Sequence, residues 1–329
     1  MFFNQTPEII FSQQSVSAFN ETAIELFHFQ YKNNVIYKQF VDLNHINPIQ
    51  VKTIAQIPFL PIELFKNHKI VCGDKIPSFF FESSGTSGMQ RSKHYIKSLA
   101  VYEESFLKGF AHFYGNIEDY CLLAVLPNYM EQKHSSLIFM IKKLIEKTNH
   151  PDSGFYLNDL KSLSDKLLTL KNTKQKTILF GVTYALLDLA EKFPLIIPDA
   201  IIFETGGMKG RRKEMLKEEL HSILQKAFNV ACIHGEYGMT ELFSQAYSKG
   251  KGIFMTPPWM KIFIRDINDH KTMLDINKTG GINAIDFANI YSCSFIATQD
   301  LGKLHEDGSF EILGRFDNSD IRGCNLMIE

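Results

Sequence analysis

Short apolar runs alternate with longer stretches of helical period through the middle of this 329-residue chain. Residues 79–81, 121–126, 177–182, 200–203 and 230–233 read as buried strands, and residues 98–113, 135–147, 158–170 and 211–228 as the helices between them. Strands joined through helices require a mostly parallel sheet with right-handed crossovers, covered on both faces. After residue 252 the pattern changes to closely spaced strands at 259–267, 281–287, 295–298 and 309–313, a mostly β region. Before it, residues 17–43 carry Phe19, Ala23, Leu26, Phe27, Val35 and Phe40 at helical spacing, followed by a proline-marked stretch from Pro48 to Pro61. The fold class expected is therefore α/β, with a smaller β subdomain.

A hydrophobic content of 45% allows a sizeable core, which excludes a disordered chain. Lys and Arg number 35 against 36 Asp and Glu, a net charge of -1 that offers no general attraction to nucleic acid or an anionic membrane. No apolar run of about 18 residues is available to span a bilayer, and the N-terminus lacks the basic start of a signal peptide. Cys72, Cys121, Cys232, Cys293 and Cys324 are widely spaced, an odd set with no metal or redox pair, which fits a reducing compartment. A cytoplasmic location is expected.

Four polar segments stand at the ends of strand-like runs. Ser83, Ser84, Gly85, Thr86, Ser87 and Gly88, followed by Arg91 and Lys93, combine close backbone approach, hydroxyl and amide donors and positive charge, which suits a triphosphate. No Gly-Lys-Ser/Thr closes the segment, so it is not a Walker loop, and a solvated turn is the alternative. The second segment is His234-Gly235-Glu236-Tyr237-Gly238-Met239-Thr240-Glu241. Its Thr240 suits a phosphate oxygen, Glu241 a Mg²⁺ ion and Tyr237 a base. Glu241 at a helix N-terminus and Tyr237 in simple packing are the alternatives. Thr205, Gly206 and Gly207 form the third segment, and Asp300 with Arg315 the fourth. A carboxylate and a guanidinium in that setting suit ribose hydroxyls and an α-phosphate, or else a hairpin with a surface ion pair. Open parallel sheets bind ligands beyond the carboxyl ends of their strands, so such segments can converge on one crevice.

In order and approximate spacing, the four segments resemble the signatures of the adenylate-forming superfamily of acyl-CoA synthetases, peptide-synthetase adenylation domains and luciferases. The short length and the ending, Gly314-Arg315-Phe316-Asp317 and then Ile321 to Leu326, look more narrowly like the acyl-protein synthetases of bacterial luminescence. The resemblance implies that Ser84 to Arg91 wrap the phosphates of ATP, that Thr205, Gly206, Gly207 and Tyr237 line the adenine pocket, and that Thr240 and Glu241 meet phosphate and Mg²⁺. Asp300 and Arg315 would meet the ribose. The organisation expected is a helical cap at 1–75, a nucleotide-binding α/β core at 76–251, a β-rich subdomain at 252–316 and a tail at 317–329.

Two departures follow. Gln90-Arg91 stand where the superfamily has Pro-Lys, which leaves open whether Arg91 or Lys93 meets the phosphates. The chain stops at Glu329, so the superfamily's mobile C-terminal domain, with its catalytic lysine, is expected to be absent. In the resembling family a cysteine near the C-terminus accepts the acyl group as a thioester, a role that falls on Cys324 beside Arg322. The function implied is ATP-dependent activation of a fatty carboxylate and its transfer to a protein thiol, with a reductase subunit or a carrier protein as the eventual acceptor. An acyl- or aryl-CoA ligase and a non-catalytic scaffold are the alternatives.

Overall fold

The structure is a computed structural model, and it describes residues 8–12, 15–84, 90–126, 133–206 and 215–315. In chain order the elements begin with helices α1 (Glu8–Phe11), α2 (Val16–Asn33) and α3 (Val35–Leu43), strand β1 (Leu60–Pro61), helix α4 (Leu64–Asn67), strands β2 (Phe80–Glu82) and β3 (Lys93–Tyr95) and helix α5 (Leu99–Tyr114). The alternating portion follows as β4 (Cys121–Val125), α6 (Ser136–Thr148), β5 (Gly154–Phe155), α7 (Leu160–Asn172), β6 (Thr177–Val182), α8 (Thr183–Lys192), β7 (Ile201–Thr205), α9 (Lys217–Phe228) and β8 (His234–Tyr237). The remaining strands are β9 (Ala246–Ser248), β10 (Ile253–Met255), β11 (Met260–Arg265), β12 (Thr279–Asp286), β13 (Phe295–Leu304) and β14 (Phe310–Arg315). Among the described residues no helix is long and apolar enough to cross a membrane.

The chain divides into two compact units. The second comprises the described residues of 107–237 and 246–254, and the first the described remainder. In the second unit β4, β5, β6, β7 and β8 pair in parallel, in the order β5-β4-β6-β7-β8, and β9 adds to β8 antiparallel. A helix lies in the chain between each strand and its parallel successor, as a crossover demands. Every residue of β4 and β6 is buried; alternate residues point to opposite sides, so both faces of these strands are covered. Gly181 in β6 is a packing requirement, because a Cβ there would stand 2.4 Å from Val125 and 2.7 Å from Leu186.

The first unit holds the antiparallel meander β11, β12, β13 and β14. The long β13 also accepts β1 in parallel at Ile296 and Ala297, ahead of its pairing with β14. The N-terminal helices pack on this meander. Phe19 stacks on Phe287 with ring centres 4.3 Å apart, and Tyr37 stacks on Phe295. The fully buried Gln30 amide donates to the Asn289 and Ile290 carbonyls and accepts from the Ser294 backbone N–H. A buried amide must find such partners, and here they fix the helix against the segment after β12.

The helical pattern at 17–43 forms two helices, because Asn34 turns extended (φ -109°) and caps both, its backbone N–H bonding the Gln30 carbonyl and its side chain accepting from Tyr37. Two sequence expectations are corrected. The run at 79–81 joins no parallel sheet; β2 pairs antiparallel with β3 in a hairpin, since the connection is too short for a parallel crossover. The run at 230–233 is not a strand. Helix α9 ends on Asn229 in the left-handed conformation (φ 53°), and pairing with β7 begins only at His234.

Candidate functional site

The β2–β3 hairpin closes at Ser83 and Ser92. The Ser83 N–H donates to the Ser92 carbonyl at 3.1 Å, and the Ser92 N–H to the Ser83 hydroxyl at 3.0 Å. These bonds pinch the base of the Ser/Gly segment, from which Ser84 emerges exposed. Gly85, Thr86, Ser87 and Gly88 lie outside the described residues. Arg91 is exposed and pairs with Glu82 at 3.1 Å, while the Lys93 ammonium sits 4.8 Å from the centre of the Phe80 ring. Both cations stand beside the hairpin.

The turn at 238–245 belongs to the same unit. It opens no helix, so Glu241 is not a helix N-terminal carboxylate. What fixes the turn instead is a set of side chains reaching it from elsewhere. His94 lies with Nδ1 2.9 Å from the Thr240 carbonyl oxygen, and Asn289 donates its amide to the Glu241 carbonyl at 2.7 Å. The fully buried Asp286 carboxylate accepts from the Phe243 and Ser244 N–H groups at 2.8 Å each and from the Ser244 hydroxyl at 2.6 Å. Trp259 donates to the same hydroxyl at 2.9 Å. Asp286 thus satisfies the amides a helix would have used.

Glu241 itself is buried, and Ser92 donates its hydroxyl to the carboxylate. Loss of solvent pushes the carboxyl pKa up, and the Ser92 hydrogen bond and the charges of Arg315 and Lys66 oppose that rise. A cation beside the carboxylate would offset this loss of solvent. Among the described residues no group of three or more His, Cys, Asp or Glu could hold a metal ion by itself. A single carboxylate suits Mg²⁺ whose other ligands come from phosphates and water.

Asp300 and Arg315 face each other across the β13–β14 pair, with Nε 2.9 Å from Oδ1. The Asp300 side chain is 7% exposed and that of Arg315 75% exposed, so this hairpin ion pair is one-sided. Its guanidinium also acts on Glu241, which brings the Thr240–Glu241 and Asp300–Arg315 segments, 59 residues apart in sequence numbering from Glu241 to Asp300, into one electrostatic neighbourhood.

Thr205, Gly206 and Tyr237 belong to the second unit, and Gly207 lies outside the described residues. Thr205 ends β7 and donates its hydroxyl to the Glu236 carboxylate at 2.7 Å. Gly206 follows with φ 74°, a conformation that favours glycine. Loss of solvent pushes the Glu236 carboxyl up to about 7, opposed by the Thr205 hydroxyl and reinforced by the Glu204 carboxylate. Thr183 bonds Glu204, and the His221 ring lies 4.0 Å from it. Tyr237 is buried and meets Phe254 edge-on at 6.2 Å.

Of the cysteines, Cys72, Cys121 and Cys293 are buried and unpaired. Burial pushes their thiols upward, to about 12 for Cys72 and about 11 for Cys121, away from thiolate chemistry. Cys232 is only half-buried, with its sulfur 3.5 Å from His234 Nε2. Cys324 lies outside the described residues. His94, Ser92, Asn289 and Asp286 are the site residues that reading the sequence missed. Ser92 sits inside the Ser/Gly segment, where its burial was the missing clue; the others carry no local motif.

The family model for "Acyl-protein synthetase, LuxE" matches residues 1–329. No curated protein sequence matches. Among solved structures, ATP-bound MatB from Rhodopseudomonas palustris superposes with a TM-score of 0.54 at 18% identity, covering 72% of this chain and 47% of that one. A 2-hydroxyisobutyryl-CoA ligase in the postadenylation state gives a TM-score of 0.66 at 11% identity, covering 92% of this chain and 68% of the ligase. The chain thus spans about half the length of the MatB structure, and at these identities the likeness establishes a shared fold.

Proposed function

Because the chain belongs to the acyl-protein synthetase, LuxE family, we propose that it activates a long-chain fatty carboxylate with ATP and passes the acyl group to a protein thiol. In the first half-reaction a carboxylate oxygen attacks the α-phosphorus. The α–β bridging bond breaks with its electron pair leaving on pyrophosphate, and the acyl-adenylate remains. In the second, a thiolate attacks the acyl carbon and AMP leaves.

The observation that carries this reading is the gathering of Glu241, Asp300 and Arg315 in one unit, with Ser92 bonded to the Glu241 carboxylate. Phosphoryl-centred chemistry needs positioning and charge stabilisation more than covalent help from the protein. Arg91 or Lys93 and the amides of the Ser/Gly segment would hold the phosphates, and Thr240 would bond a phosphate oxygen. Mg²⁺, when bound, neutralises phosphate charge, and Glu241 is the residue that would hold it. Asp300 would take the ribose hydroxyls and Arg315 the α-phosphate side, while Thr205, Gly206, Gly207, Tyr237 and Gly238 would line the adenine. Cys324 is the proposed acceptor, and raised thiol pKa values at Cys72, Cys121 and Cys293 favour a thiol other than these three. A reductase subunit or a carrier protein would then receive the acyl group. Free cysteines throughout the described residues fit work in the reducing cytoplasm.

Pyrophosphate exchange with a panel of carboxylates tests the first half: exchange with fatty acids is expected, and none with any acid overturns it. For the second, Cys324→Ser keeps exchange and loses hydroxylamine-sensitive labelling by radioactive fatty acid. Labelling that persists removes Cys324, and product formation only with added coenzyme A reassigns the enzyme as a CoA ligase.

A further inference from the structure

Beside the hairpin of the first unit lies a cavity of about 570 Å³ lined by Lys66, His68, Lys69, Glu82, Arg91 and Lys93. Four permanent cations face one carboxylate there, and that carboxylate is engaged with Arg91. The chain as a whole has a net charge of -1, so this is a local concentration rather than a general basic bias. Cations gathered around one concavity repel each other, and a polyanion in the middle turns that repulsion into binding energy.

Two of the lysines are oriented by aromatic rings. The Lys69 ammonium leans on the Tyr95 ring at 5.9 Å and that of Lys93 on the Phe80 ring at 4.8 Å. Gln90 donates its amide to the Lys66 carbonyl at 2.9 Å, tying the end of the Ser/Gly segment to the lysine-bearing stretch. The Lys66 charge also acts on the Glu241 carboxylate, as the smallest of the effects that oppose its raised pKa.

We propose that Lys66 and Lys69, which stand upstream of every sequence motif, bind the pyrophosphate that leaves during adenylation. This rests on the reading of the chain as an adenylate-forming enzyme and adds to it two residues acting on the leaving group. As the bond between the α-phosphorus and its bridging oxygen breaks, charge grows on the departing β-phosphate. Two ammonium groups at that end stabilise it and hold the product until release.

The test is calorimetric titration of the full chain with magnesium pyrophosphate and, separately, with AMP. The pair Lys66→Gln and Lys69→Gln together is expected to weaken pyrophosphate binding about tenfold or more, the loss of charge-assisted bonds. The pair Lys66→Arg and Lys69→Arg is expected to retain it within about threefold, since charge is kept. Pyrophosphate affinity unchanged in the glutamine pair, or equally weakened in both pairs, overturns the inference. A parent protein that binds AMP but not pyrophosphate overturns it too, leaving the adenylation reading in place. One that binds neither overturns that reading first. Thermal unfolding checks each variant, and if the glutamine pair does not fold, Lys69→Gln alone, at an exposed side chain, carries the same comparison.

Discussion

His94 reaches across 146 residues of sequence to bond the Thr240 carbonyl at 2.9 Å, while its other ring nitrogen lies 2.8 Å from the Ser292 hydroxyl. A carbonyl only accepts, so Nδ1 carries the proton and Nε2 accepts from Ser292. The ring is buried between Phe65 and Phe243, and burial lowers its pKa to about 4 against the opposing effect of the Thr240 bond. A neutral imidazole thereby sets the height of the turn that presents Glu241.

His94→Gln keeps a donor but not the geometry, and is expected to cost about 1–2 kcal/mol at pH 7. The pH profile is more telling. The unfolded chain takes up a proton near the ordinary histidine value of 6.5 and the folded ring only near 4. The stability due to this group is therefore complete above 6.5 and lost as pH falls toward 4, by about 3 kcal/mol in full. His234, also lowered to about 4, contributes a similar slope. The difference between parent and variant in urea unfolding isolates His94, and it is expected to fall through zero and reverse sign as pH drops from 6.5 to 4.

Glu241→Gln removes a charge that burial disfavours while keeping size and a hydrogen-bonding oxygen. Thermal unfolding is expected at the parent temperature or above it. Pyrophosphate exchange is expected to fall by about 100-fold or more. A variant that unfolds early and exchanges normally would contradict both halves of this expectation.

Asp300→Ala is expected to erase discrimination between AMP and 2′-deoxy-AMP. If the buried carboxylate accepts from the ribose hydroxyls, the parent prefers AMP by about tenfold. The variant binds the two alike, with AMP weakened to the deoxy level. Competition with a fluorescent nucleotide measures the four affinities.

Glu236 predicts the opposite pH trend from His94. Its folded pKa, about 7, stands above the unfolded carboxylate value of 4.5, so the folded state holds the proton more tightly. Stability from this group is complete below 4.5 and lost as pH rises to 7, by roughly 3 kcal/mol. Glu236→Gln is expected to remove that slope. Urea unfolding of parent and variant at pH 5 and pH 8 checks it, and parallel curves would place the proton elsewhere.

The sheet of the second unit was legible because β4 is apolar at every position and β6 carries no polar side chain after Thr177, a pattern that burial on both faces imposes. The same rule misled at 230–233, where Val230 and Ile233 bury their side chains in packing without joining the ladder. The strand that does join, His234–Tyr237, reads as polar because it carries Glu236 toward Thr205 and leaves Gly235 against Phe254. At the candidate site, hydroxyls, glycines and charges announced the segments. The side chains that hold them were silent, since His94, Asp286 and Asn289 gain meaning only from distant partners. No period or spacing encodes a bond from Asn289 to Glu241.

The turn bearing Glu241 is clasped by residues from two distant stretches, near 92–94 and 286–289. Recombination between relatives therefore has poor crossover points anywhere from position 95 to position 285. A hybrid cut there inherits a latch from one parent and its catch from the other, and would need these contacts restored together before its nucleotide chemistry could be judged.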